Sequence, residues 1–88
     1  MPATAEVTVS NPQGMHLRPA TEFAKLAQAS GCAVTVTAGD AQANGGSVLE
    51  LAMMAAGRGT VLVITAEGEN CEKALAALVE LVRNDFKR

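Results

Sequence analysis

Two hydrophobic periodicities alternate along this sequence, and their order restricts the folds that the chain can adopt. Segments in which every second residue is apolar, as in a strand with one buried face, are separated by segments in which apolar residues recur at helical spacing. The order is strand, helix, strand, strand, helix, strand, helix. Because helices return the chain between strands, this order predicts an α+β fold of two layers, with one sheet covered on one face by helices.

The predicted strands are rich in β-branched residues and end at turn signals. They cover residues 5–10, 32–38, 41–44 and 60–66. In the first strand, Val7 and Val9 share the buried face. The second and third strands flank Gly39-Asp40 and form a hairpin. The fourth, TVLVITA, is the most hydrophobic, so we expect it to lie centrally with a paired strand on each side.

The predicted helices follow loops that contain glycine, and the first and third carry a clear apolar stripe. They cover residues 17–29, 47–56 and about 70–84. Ser47 and Glu50 have the S-x-x-E spacing of a capping box, and Asn70 is placed to cap the third helix. The two stripes consist of Ala20, Phe23, Ala24, Leu26 and Ala27, and of Ala74, Leu75, Leu78, Leu81 and Val82.

The length of 88 residues corresponds to a single domain, residues 1–88, with a small core and little room for a deep cleft. A net charge of −2 and 2% aromatic residues leave neither the basic surface nor the stacking platforms of nucleic-acid-binding proteins. No apolar run approaches the roughly 20 residues that span a bilayer, and MPATAEVTVS lacks the regions of a signal peptide. We therefore expect a cytoplasmic protein that does not insert into membranes.

Cys32 and Cys71 lie far apart in the sequence, and neither belongs to a CxxC pair. With one histidine in the chain, they do not have the spacing of a metal site. The two thiols could pair, but a disulfide is not expected in a reducing compartment. We expect both cysteines to be ordinary residues of the core or of helix ends.

The segment GMHLRPA, residues 14–20, leads from a loop into the first helix and contains the one histidine. Gly14 permits a sharp bend, and Pro19 fits the first helical turn, where its missing N–H would have no partner. His16 therefore lies at a helix N-terminus, where free N–H groups and the helix dipole stabilise an anion. Arg18 adds a charge-assisted contact. The same field disfavours a second proton on the imidazole, so we expect a neutral, nucleophilic ring.

From these residues alone, other roles for His16 remain open. A single histidine beside a helix start is often a cap or a surface side chain, and the protein would then be an interaction module without chemistry. An enzyme that hydrolyses phosphate through His16 would need a second acid or base, and none is obvious nearby. Glu6 and Glu22 do not have the spacing of metal ligands, so we expect no metal.

Residues 14–20 resemble the G-L-H-A-R-P-A signature of HPr, the histidine-containing phosphocarrier of the bacterial phosphoenolpyruvate-dependent phosphotransferase system. The resemblance extends over nearly the whole chain, because residues 47–49 match the family's second-helix start and residues 59–69 match its last strand and turn. It implies a four-stranded antiparallel sheet covered on one face by three helices, an open-faced β-sandwich. This architecture agrees with the order of elements derived above.

The resemblance further implies a phosphocarrier of the sugar phosphotransferase system. Enzyme I would phosphorylate His16 on Nδ1, and His16 would pass the phosphoryl group to IIA domains. Arg18 and the backbone of Leu17 would bind the phosphate, and Pro19 would start the helix. Such a chain is a carrier and not an enzyme, and it needs no cofactor. We expect a monomer, because transient partners must reach the histidine.

A nitrogen-related phosphocarrier (NPr), which serves regulation, is the alternative within the same system. Met15 and the Gly-Gly-Ser-Val segment fit that branch, whereas residues 60–69 resemble the sugar carrier. The sequence alone does not decide between them.

Two positions depart from the family's pattern, since Met15 stands where Leu is commoner and Leu17 where Ala or Thr is usual. Both substitutions keep an apolar side chain. We expect an apolar rim around the histidine on which partner proteins dock, although Met53 could equally belong to the core. The predicted rim consists of Met15, Leu17, Val48, Leu49 and Met53.

Ser47 has two interpretations. In the family that the chain resembles, the serine at this position is phosphorylated in some bacteria by an HPr kinase/phosphorylase, and a phosphate is well placed at a helix N-terminus. From the residues alone, Ser47 is a good N-cap, with Glu50 as its capping-box partner. The negative charge of Glu50 would repel an added phosphate.

Overall fold

The computed structural model describes residues 2–87, and its seven elements follow the predicted order. The strands are β1 (Ala3–Thr8), β2 (Ala33–Ala38), β3 (Ala41–Asn44) and β4 (Val61–Glu67). The helices are α1 (Leu17–Ser30), α2 (Val48–Met53) and α3 (Cys71–Arg83). Helix α2 is shorter than predicted, because Ala55 adopts the left-handed backbone with φ of 53°. Within residues 2–87, no helix is long and apolar enough to cross a membrane.

The strands form one antiparallel sheet in the order β1-β4-β2-β3. The central position predicted for the last strand is confirmed, since β4 pairs with β1 on one side and with β2 on the other. Val7 lies opposite Leu62, and Val36 lies opposite Ile64. All four side chains are buried on the same face of the sheet.

The three helices cover this buried face. Helix α3 packs on β1 and β4, α1 packs on α2 and α3, and α2 contacts β3. Phe23, Leu51 and Leu78 are fully buried between the helices and the sheet. The other face of the sheet carries polar side chains, such as the Thr4 and Thr65 hydroxyls, which lie 3.3 Å apart. Burial on one face only confirms the predicted open-faced β-sandwich.

Two predicted helix caps need correction. The Ser47 hydroxyl accepts a hydrogen bond from the Glu50 amide (3.2 Å), as predicted, but the Glu50 carboxylate accepts from the Asn44 amide (2.9 Å) and not from Ser47. The predicted cap at Asn70 is wrong, because its side chain makes no capping hydrogen bond. A side-chain N-cap needs extended backbone, whereas Asn70 is left-handed with φ of 58° in the tight turn after Gly68.

Cys32 and Cys71 form a disulfide, with Cα atoms 6.1 Å apart. The expectation that they are ordinary unpaired residues is therefore wrong. The register of the sheet explains the pairing: β2 and β4 are antiparallel neighbours, and Ala33 lies opposite Glu67. Cys32, the residue before β2, and Cys71, the first residue of α3, consequently meet where the start of β2 lies beside the end of β4, within the distance that a disulfide requires.

Reduction of this disulfide should lower the stability of the fold. The bond joins residues 39 positions apart, and in the chain-entropy model a loop of that size corresponds to about 4 kcal/mol of stabilisation. We expect a reductant to lower the temperature of thermal unfolding. The double variant Cys32→Ser/Cys71→Ser should unfold like the reduced wild type, with or without reductant. Equal unfolding temperatures for the oxidised and reduced wild type would contradict this prediction.

Candidate functional site

His16 is the N-cap residue of α1, which is where the sequence predicts it. Its backbone is extended (φ −99°, ψ −168°), and its side chain makes no capping hydrogen bond. The residue is exposed. The imidazole ring is therefore accessible at the surface. The backbone of His16 is fixed by the helix, because the Ala20 amide donates to the His16 carbonyl at 2.9 Å.

The loop before His16 docks against the end of α2. The Met15 amide donates to the Ala56 carbonyl at 2.8 Å. Gly14 has a φ of 69°, and a Cβ atom there would collide with the Ala56 carbonyl and lie 2.8 Å from the Gly57 Cα. Glycine is thus required at position 14 both by backbone conformation and by close packing. The packing of Gly14 and Met15 against the end of α2 therefore fixes the position of His16, the next residue in the chain.

Asn11 is a part of the site that the sequence reasoning missed, since it treated residues 11–14 only as the end of a strand. Its amide nitrogen donates to the Gly14 carbonyl at 2.8 Å, and the His16 amide donates to the same carbonyl at 3.1 Å. The side chain is 7% exposed, and its Oδ1 atom has no hydrogen-bond partner among the described residues. An Asn directly after a strand and three residues before a glycine is the signal that could have revealed this turn.

The first turn of α1 presents unpaired hydrogen-bond donors. The Leu17 and Arg18 amides precede the first intrahelical bond and have no backbone acceptor among the described residues, while Pro19 has no N–H. No acidic residue lies in this turn. The positive end of the helix dipole therefore lies at His16, and no carboxylate in the first turn neutralises it. Such a helix N-terminus favours binding of an anion.

A shallow groove of about 540 Å³ contains His16 and Arg18, so the structure brings these two predicted site residues together. The groove also contains residues from the end of the chain, which sequence reasoning did not assign to the site. Its lining consists of Asn11, His16, Arg18, Pro19, Glu22, Asp85, Phe86 and Lys87. Among the described residues, no three His, Cys, Asp or Glu side chains are grouped as they would be around a metal ion.

The exposure expected of the apolar rim is found for three of its five residues. Leu17, Leu49 and Met53 are 67%, 69% and 74% exposed, on the two helices α1 and α2 that pack together. Met53 therefore belongs to the surface and not to the core. Val48 is half-buried. The prediction for Met15 is wrong: it is 2% exposed, because the docking of its backbone on Ala56 turns the side chain into the core.

Ser47 lies apart from the His16 groove. Its residue is half-buried and lines a separate depression with Gln28 and Gly31, near the C-terminal end of α1. Its hydroxyl oxygen accepts the capping bond from the Glu50 amide. The structure thus shows Ser47 in the capping role.

Comparison with known proteins agrees with the geometry. Residues 3–84 match the family model described as "PTS HPr component phosphorylation site". The chain is 41% identical to the phosphocarrier protein HPr of Pseudomonas aeruginosa over 87 residues, which cover 98% of this chain and 96% of that protein. It is 35% identical to the phosphocarrier protein NPr of Shewanella violacea over 81 residues, which cover 92% and 89% of the two chains.

Solved structures show the same fold. A crystal structure of HPr from Thermoanaerobacter tengcongensis superimposes with a TM-score of 0.89 and 27% identity, covering 96% of this chain and 94% of that one. The histidine-containing phosphocarrier protein of a mycoplasma superimposes with a TM-score of 0.88 and 26% identity, covering 98% and 99%. The similarity thus covers the complete sheet and all three helices.

A methyl group at position 14 should disturb the loop that carries His16. We expect Gly14→Ala to destabilise the fold by about 3 kcal/mol, from left-handed strain plus the collision with Ala56. Gly31→Ala is the matched control, because Gly31 has a similar φ of 74° but open space around the added Cβ. The control should cost about 1 kcal/mol in denaturant unfolding. Equal losses for both variants would show that the contact with Ala56 is not a tight one.

Proposed function

The chain belongs to the HPr family of phosphocarrier proteins, and from this premise we propose that His16 is the residue that carries the phosphoryl group. One observation supports this assignment above the others. His16 is exposed at the N-terminus of a 14-residue helix whose first two amides have no hydrogen-bond acceptor within residues 2–87. A phosphoryl group on the ring would find hydrogen-bond donors and a favourable field already in place.

In the proposed transfer, the Nδ1 lone pair of His16 attacks the phosphorus atom of a phosphorylated donor, which is Enzyme I. A phosphorus–nitrogen bond forms at His16, and the bond between phosphorus and the donor breaks with its electron pair remaining on the donor. A nucleophile of a IIA domain then attacks the phosphorus atom, the phosphorus–nitrogen bond breaks, and its electron pair returns to Nδ1 of His16. The protein is a covalent carrier in this scheme and needs no cofactor of its own.

Arg18 is the proposed cation of the site. It lies in the first turn of α1 and lines the same groove as His16. Its side chain has no carboxylate partner within 4.0 Å among the described residues, so it is available for a charge-assisted hydrogen bond. The Leu17 and Arg18 amides supply the backbone contacts, and Pro19 leaves no competing donor in the turn.

Leu17, Leu49 and Met53 are the exposed members of the predicted apolar rim. We propose that Enzyme I and IIA domains dock on these three residues in turn, and from here on the apolar rim means these three. Exposed large apolar side chains on two adjacent helices are typical of protein-binding surfaces. We propose that the protein works as a monomer in the cytoplasm. In that compartment, thiol reductants would convert the Cys32–Cys71 disulfide to thiols.

The sugar branch is the function we favour, and a nitrogen-related role is the second candidate, because a relative named NPr is 35% identical over 81 residues. Phosphoryl transfer to IIA proteins of each branch separates the two. Ser47 remains a helix cap in this proposal. Regulation by an HPr kinase/phosphorylase would place a phosphate at the start of α2, where the negative charge of Glu50 in the first turn would repel it.

Removal of the imidazole should abolish phosphoryl acceptance without loss of the fold. With Enzyme I, magnesium and phosphoenolpyruvate, intact mass spectrometry should detect one acid-labile phosphoryl group on the wild type and none on His16→Ala. We expect Arg18→Gln to accept the group about tenfold more slowly, since it loses a charge-assisted contact. Both side chains are exposed, so the unfolding temperatures should stay close to that of the wild type. A wild type that stays unmodified with Enzyme I from its own organism would contradict the proposal.

A charge within the apolar rim should weaken partner binding. We expect Leu49→Glu to raise the protein concentration needed for half-maximal phosphorylation by Enzyme I about tenfold. Ala29→Glu is the control: it adds the same charge at an exposed position of α1, about 18 Å along the helix from Leu17. The control should behave like the wild type. If Leu49→Glu also needs the same concentration as the wild type for half-maximal phosphorylation, then Leu49 does not contact Enzyme I.

A further inference from the structure

The C-terminal turn, residues 84–87, lies beside His16, but the proposed phosphoryl transfer gives it no role. Asp85 and Lys87 line the groove that contains His16 and Arg18. They also line a second, smaller depression of about 250 Å³ on the His16 surface, together with Pro12 and Gln13. Asp85 and Lys87 thus line both depressions next to the histidine.

This turn has a strained backbone. Asp85 and Phe86 both adopt the left-handed conformation, with φ of 56° and 63°. Aspartate tolerates this region, but it is an outlier for a bulky aromatic residue. Such conformations persist only where the surrounding structure enforces them, and they are concentrated at functional sites.

Three contacts enforce the strained turn. The Phe86 side chain is 5% exposed and packs into the core, and the Phe86 amide donates to the Leu81 carbonyl at 2.7 Å. The Ser10 hydroxyl donates to the Asp85 carboxylate at 2.7 Å. Ser10 directly precedes Asn11, which holds the loop of His16. The turn is therefore attached both to α3 and to the segment that positions the histidine.

The charges around the groove leave two cations without partners. Its charged residues are Arg18, Glu22, Asp85 and Lys87. Among the described residues, the one carboxylate and cation that approach each other are Glu22 and Lys25, at 3.9 Å. The Asp85 carboxylate is held by Ser10 instead. Lys87 is exposed, lines the groove that contains His16, and has no carboxylate within 4.0 Å among residues 2–87, as expected of a residue that binds a transient anion.

We propose that Lys87 is a second cationic residue of the phosphoryl site, whose ammonium group contacts the phosphoryl group on His16 across the groove that both residues line. Ser10 and Asp85 are its positioning residues, because their hydrogen bond fixes the turn that carries Lys87. This inference rests on the proposed role of His16. It adds a contribution from the last turn of the chain to a site otherwise built on the first helix.

The test compares Lys87→Gln with Lys73→Gln, which removes the same charge from an exposed position on α3 outside the groove. Each protein is loaded with Enzyme I and phosphoenolpyruvate, and the phosphorylated fraction at equilibrium is measured by intact mass. The pKa of the phosphoryl group is followed by ³¹P NMR. Thermal unfolding checks the fold, which loss of this exposed ammonium should not alter.

Loss of Lys87 should reduce the equilibrium constant for phosphorylation about two- to fivefold, the range expected for one exposed ion pair. The pKa of the phosphoryl group should rise by a few tenths, since a nearby cation favours the dianion. Both effects should shrink at high salt, and Lys87→Arg should restore them. Lys73→Gln should match the wild type, and Ser10→Ala should show a smaller change in the same direction as Lys87→Gln.

The outcomes separate this inference from the proposed function. If the wild type becomes phosphorylated and Lys87→Gln has the same equilibrium constant and phosphoryl pKa, the role of Lys87 is wrong and that of His16 stands. If Lys73→Gln changes both quantities as much as Lys87→Gln does, net charge explains the effect and the inference is again wrong. A wild type that accepts no phosphoryl group overturns both.

Discussion

The docking of the loop before α1 onto the end of α2 is the contact on which the site depends. The Met15 amide binds the Ala56 carbonyl at 2.8 Å, and Gly14 approaches the same carbonyl too closely for any side chain. This contact sends Met15 into the core and leaves His16 exposed at the helix N-terminus. Because Asn11 ties the same loop from the other side, the histidine sits on a rigid support although it lies at the surface.

A carrier requires this combination of a fixed backbone and an open ring. The fold leaves the ring accessible in a shallow groove, and in the proposed function the Leu17 and Arg18 amides and the Arg18 side chain bind the phosphoryl group there. The groove that contains His16 is open to water, and we propose that the phosphoryl donor and acceptor proteins supply the remaining catalytic groups. We propose that the exposed Leu17 of α1 and the exposed Leu49 and Met53 of α2 form the apolar surface on which those partners dock.

Periodicity and local signals were sufficient to predict the order of elements, the central β4 and the position of His16. What they missed depends on contacts between distant parts of the chain. The Cys32–Cys71 disulfide follows from the register of β2 and β4, and the burial of Met15 follows from the contact with Ala56. The sequence also gives no sign that the turn at Phe86 packs beside the first helix, since that arrangement depends on tertiary burial.

The central claim is that the phosphoryl group on His16 is held by the first turn of α1. Backbone amide NMR spectra of ¹⁵N-labelled protein before and after phosphorylation test it most directly. The Leu17 and Arg18 amide protons should then show the largest downfield shifts, because they gain a charged acceptor. Unchanged Leu17 and Arg18 signals in a fully phosphorylated protein would contradict it, and would place the group outside the field of the helix.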